Sequence, residues 1–128
     1  MNQVCVDTPQ GVNTAAAHGA DRIELCSALS VGGLTPSHGL MEYAAALTSA
    51  SASATPVVAM VRPRAGGFVY SREELVAMKA DIRAARRAGL AGVVLGASRP
   101  DGSLDEDVLA RLVAEARGVE GGSEVCMG

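Results

Sequence analysis

The sequence predicts an α/β fold on a parallel sheet, the N-terminal half of a (β/α)8 TIM barrel with about four βα units and an irregular tail. Three observations lead there. Strand-like and helix-like segments alternate four times with short links, which implies parallel strands joined by right-handed crossovers. Polar side chains gather at the C-terminal ends of the first three strands, where barrel sites are built, and no Gly-x-Gly-x-x-Gly follows the first strand as a dinucleotide-binding sheet would require. A whole barrel takes eight strands in roughly 250 residues, and a chain of 128 supplies half.

Each element has a local reason. The first strand, about Gln3 to Asp7, runs into Thr8-Pro9, a helix cap followed by proline at the first helical position, and an Ala-rich helix ends near Gly19. The second strand, Arg22 to Cys26, opens into a Gly-containing loop, Ser27 to Leu34. Thr35-Pro36 repeats the cap-plus-proline device before a helix to about Ala50. The third strand spans Pro56 to Arg62, and the loop Pro63 to Tyr70 leads to Ser71 and Glu74, a capping box. Its helix carries Leu75, Met78, Ile82 and Ala85 at helical spacing and stops at Gly89. The fourth strand, Gly92 to Ala97, is continuously apolar, as a strand buried on both faces should be. Ser103 and Glu106 suggest a second capping box, with a helix to about Arg117.

A fifth strand is due after Gly118, but Val119 to Gly128 is rich in Gly and Glu, which suit a buried strand poorly. The expected division is therefore a half barrel over 1–118 and an irregular tail over 119–128, with the chain cut short and, as one alternative, inactive by itself. Open strand edges and uncovered inner surface then predict a homo-oligomer.

Composition narrows the partners. The net charge of −3 and the scarcity of aromatics argue against nucleic acid, which needs a basic stripe and stacking surfaces. The longest apolar runs are too short for a bilayer, and the N-terminus has no basic segment leading into an apolar one. Three cysteines without an export signal fit a reducing cytoplasm better than a disulfide framework. No nucleotide cofactor is indicated.

The candidate site follows from strand alternation. Val4 and Val6, with Ile23 and Leu25, form one apolar face; Gln3, Cys5 and Asp7, with Arg22, Glu24 and Cys26, form the other. Burying unpaired charge is costly, so such a face lines a site. Cys5 and Cys26 are read as equivalent inward positions on adjacent strands. There they could approach one soft ion, cuprous copper, with Met60 adding a thioether, or could serve as small hydrophobes. Asp7 and Glu24 are candidates for acid–base catalysis, although Asp7 could simply cap the helix after it. Arg62 and Arg64, flanking Pro63 beside Gly66-Gly67, suit a small anion such as a phosphate or carboxylate. Their structural alternatives are an ion pair with Glu24 or Asp7 for Arg62 and plain solvent exposure for Arg64. His18 and His38 read as surface residues, and Cys126 as incidental.

The segments Val4-Cys5-Val6-Asp7, Ala20 to Ser27, Gly32-Gly33-Leu34-Thr35-Pro36-Ser37, Val61-Arg62-Pro63-Arg64 and Gly92 to Gly96 resemble the CutC copper homeostasis family, in order and to about Arg117. The resemblance implies a cytoplasmic TIM barrel and a copper ligand, for which Cys5 and Cys26 are the candidate donors. Two departures count. Gln3 stands where the family usually has Glu, and the family's next strand, carrying a His and an Arg, and the three βα units after it are not found here.

Overall fold

A computed structural model describes residues 2–50, 55–117 and 124–127. The elements are β1 (Gln3–Val6), α1 (Pro9–Ala17), β2 (Arg22–Leu25), α2 (His38–Ala50), β3 (Val57–Met60), α3 (Arg72–Ala88), β4 (Gly92–Leu95), α4 (Glu106–Arg117) and β5 (Glu124–Met127). The strands lie in sequence order, each parallel to the next. A doubly wound sheet reverses its order at a switch point. This one never does, which is the progression of a barrel wall.

The fifth strand corrects the expectation of an irregular tail. Residues 124–127 pair with β4 from Gly92↔Glu124 to Leu95↔Met127. Local strand propensity is weak there, but the edge of β4 presents backbone donors and acceptors that a parallel neighbour satisfies. The rest of the tail, 118–123 and 128, lies outside the described residues.

The alternation reads as expected. Val6, Ile23, Leu25, Ala59, Val93 and Leu95 face the helices and join Val12, Met41, Met78, Ile82 and Leu112 in one aliphatic core. Truncating a core side chain such as Ile23, fully buried, costs about 2–5 kcal/mol.

The caps are partly as the sequence implies. Thr8 accepts a hydrogen bond from Gly11 N at 3.0 Å, with Pro9 opening the helix, so Thr8 and not Asp7 is the cap. Ser71 and Glu74 form the capping box, and Gly89 closes α3 in the left-handed region at φ 89°. Two devices differ. Ser37, not Thr35, accepts from the start of α2, through Leu40 N at 3.1 Å. Asp105, not Ser103, does so for α4, through Val108 N at 3.2 Å, while Ser103 bonds Asp101 in the preceding turn. Thr35 is freed to bracket the strand after it, donating to Arg62 O and accepting from Arg62 N.

Candidate functional site

The inner face of β1 and β2 brings a thiol and a carboxylate together. Cys5 is in register with Glu24, and its Sγ lies 3.8 Å from Glu24 Oε2. Gln3 donates to the same oxygen at 2.6 Å. Glu24 is 8% exposed. A carboxylate this buried is tolerable only with donors on it, and Gln3 supplies one.

Cys26 lies one residue beyond the last β2 position and donates its backbone N–H to Val6 O at 2.9 Å. Cys5 faces Glu24, so the two thiols are not opposite each other, as the sequence reading had them. They are offset by two residues along the sheet, about 8 Å between Cα atoms from strand spacing and rise. The reason is register, which strand pairing sets and alternation alone does not. Both cysteines are free thiols, Cys5 exposed and Cys26 buried.

Burial, then the Glu24 charge, raises the Cys5 thiol. The same causes, with Cys5 and Asp7 adding, push Cys26 up to about 12. Asp7 is exposed at the end of β1 and reaches this group through its field on Cys26. Cys5, Asp7, Glu24 and Cys26 therefore form one electrostatic unit, and its thiols stay protonated at neutral pH. Met60, half-buried, stands one position past the Leu25↔Ala59 pair and so is next to Cys26 on the neighbouring strand. Soft sulfur donors on one face fit a cuprous ion by chemistry. Among the described residues no three His, Cys, Asp or Glu side chains are grouped to hold a metal.

The arginines are elsewhere and are differently employed. Arg62 follows β3 and clamps two loops through backbone carbonyls: Val31 O at 2.9 Å, Gly33 O at 3.3 Å and Gly66 O at 2.9 Å. Its guanidinium lies over the Phe68 ring at 5.1 Å. Among the described residues it has no ion pair with Glu24 or Asp7. Arg64 is not simply solvent-exposed. It pairs with Glu74 at 2.6 Å, donates to Gly67 O and Val69 O, and lies over Tyr70 at 5.0 Å. His18 is exposed, and His38, also exposed, approaches Asp81 at 3.5 Å.

One element joins the two regions. Gly32 and Gly33, at φ +95° and +94°, sit where a side chain on the first would come within 3.1 Å of Arg62 Nη1 and on the second within 3.3 Å of Cys26 Sγ. The backbone presses on the guanidinium and the thiol in successive residues, which only glycine permits at that φ. The doubled glycine was the available signal, as were the aromatics Phe68 and Tyr70 in so aromatic-poor a chain.

Comparison with known proteins agrees with this architecture. The model of the CutC family matches residues 1–122. A CutC family protein of Sinorhizobium medicae is 57% identical over 117 residues, covering 91% of this chain and 45% of that protein. One from Agrobacterium fabrum is 53% identical over 118 residues, with 92% and 45% covered. The chain thus spans about half the length of the curated relatives it matches. Among solved structures, CutC from Streptococcus agalactiae superposes with a TM-score of 0.88 at 28% identity, covering 99% of this chain and 58% of that one. A Burkholderia cenocepacia protein bearing the phosphonomutase name shares the fold alone, with a TM-score of 0.54 at 24% identity over 91% and 46% of the two chains.

Proposed function

The chain belongs to the CutC family, and from that premise we propose that it binds cuprous copper in the cytoplasm as part of copper homeostasis. The observation that carries this reading is the pair of free thiols, Cys5 and Cys26, held on one inner face around Glu24 with Met60 beside them. The Streptococcus agalactiae relative is itself named as a proposed copper homeostasis protein. Burial and then the neighbouring Glu24 raise both thiols, and the negative field of that carboxylate attracts a cation that displaces their protons. Affinity should therefore rise with pH, by about tenfold per unit for each proton released.

Anaerobic competition against a chromophoric cuprous chelator tests the site. Cys26→Ala and Cys5→Ala should each bind much more weakly than the wild type. Equal affinity in all three would sink the assignment. Because β1 and β5 are the edge strands of the sheet, self-association is proposed as well, and a stable dilute monomer by light scattering would contradict it.

A second reading is favoured by Glu24, a buried carboxylate held by a 2.6 Å hydrogen bond. In it the fold is an enzyme for a small anionic substrate, Glu24 and Asp7 exchange protons with it, and Arg62 serves the anion, Arg64 being taken up by Glu74. Retained turnover in Glu24→Gln would reject that assignment.

A further inference from the structure

Arg62 and Tyr70 share a feature that the clamp and the capping device leave unused. Arg62 Nε and Tyr70 Oη are buried and, among the described residues, make no hydrogen bond. Both residues line one cavity of about 100 Å³ at the C-terminal ends of β3 and β4, walled otherwise by Met60, Val61, Phe68, Val94, Leu95 and flanking glycines. Its volume is about three waters' worth.

The charge balance points the same way. Arg64 is neutralised by Glu74. Arg62 donates only to uncharged carbonyls and has no carboxylate within ion-pair distance among the described residues. A half-buried guanidinium without a counter-charge, beside an unused hydroxyl, is a place where an anion gains more than it loses in desolvation. Burial raises the Tyr70 phenol, so it remains a donor through the neutral range. The walls narrow the ligand further. Two donors match two oxygens, and the mostly aliphatic lining offers nothing to the two remaining oxygens of a phosphate. Phe68, which lines the cavity, is 44% exposed, and its ring lies against the Arg62 guanidinium.

We propose that this cavity binds the carboxylate of a small organic acid bearing a short apolar chain, with Arg62 Nε–H and the Tyr70 hydroxyl each donating to one oxygen. The chain of the acid lies toward Phe68. The proposal names the substrate class for the second reading above and rests on it.

The probe is butanoate, followed on the whole purified chain by saturation-transfer NMR, with butan-1-ol and inorganic phosphate in parallel. A ligand of so few atoms should bind with a dissociation constant on the order of 1 mM. Tyr70→Phe keeps the ring and removes only the hydroxyl, and it should weaken butanoate by about tenfold. Arg62→Lys, which retains charge but loses Nε–H, should weaken it at least as much; far-UV circular dichroism reports whether each variant keeps the fold. Transfer from butan-1-ol equal to that from butanoate would overturn the proposal, as would phosphate displacing butanoate at equal concentration or unchanged binding in folded Tyr70→Phe. The readout is binding alone. Turnover abolished by Glu24→Gln with butanoate silent would reject this subsite and leave the acid–base reading standing, whereas butanoate binding without turnover would do the reverse.

Discussion

The ends of β2 and β3 carry the same kind of residue, charged or reactive groups at or just past a strand's C-terminal end, yet they are built on opposite principles. At β2 the groups meet one another: Cys5 faces Glu24 with Cys26 two residues further along the sheet, and burial, then the negative field, makes both thiols hard to ionise. At β3 the groups meet the backbone: Arg62 and Arg64 spend most of their donors on loop carbonyls. The first region holds its thiols protonated, and the second organises loops with one cation left uncompensated. The type of residue at a strand end therefore does not say whether its charge is available. That depends on what the adjoining loops offer it, and Arg64 differs from Arg62 only because Glu74 stands within 2.6 Å of it.

The largest effect that would break this contrast should come from Arg62→Ala. It removes the bonds to Val31, Gly33 and Gly66 and the Phe68 contact. We expect a loss of about 3 kcal/mol in chemical denaturation, with charged hydrogen bonds the main part. Because the tethered loop also covers Cys26, its thiol should react faster with a disulfide reagent in the variant. An unchanged rate would mean that the two regions are independent.

Gly33→Ala attacks the joint from the other side. A left-handed φ of +94° with the new Cβ 3.3 Å from Cys26 Sγ should cost about 1–2 kcal/mol, seen as a lowered midpoint in the same denaturation. A neutral result would show that the loop is slack at this point.

The effect that vanishes at neutral pH concerns titration. The Cys26 thiol is raised from 9.0 to about 12 in the folded chain, so the folded state holds that proton more tightly than the unfolded state. The stability this confers is complete below pH 9.0 and drains away as pH rises toward about 12. Cys26→Ala should flatten the alkaline decline measured by denaturation across that window. A slope identical to the wild type would place the burden on other groups.

Much of this was legible in the chain. Period-two alternation assigned Val6, Ile23 and Leu25 to the helix side and Cys5 and Glu24 to the other face. The Thr8-Pro9 cap and the Ser71–Glu74 box are short-range hydrogen bonds between residues three apart, so the local sequence suffices to place them. The caps at Ser37 and Asp105 were missed because several neighbouring side chains could have served, and the choice falls to the helix's angle of entry.

Composition and local pattern thus decided the class of fold, the order of the elements and which side chains share a face, because each depends on interactions within a few residues. Register decided that Cys5 meets Glu24 rather than Cys26, and pairing to the edge of β4 drew residues 124–127 into the sheet despite their weak propensity. Packing of the loops decided which arginine keeps an uncompensated charge. These are contacts between residues tens of positions apart, whose energies exist only once the sheet has brought them together; the bond from Arg62 to the carbonyl of Val31 spans 31 residues, and no local pattern encodes it.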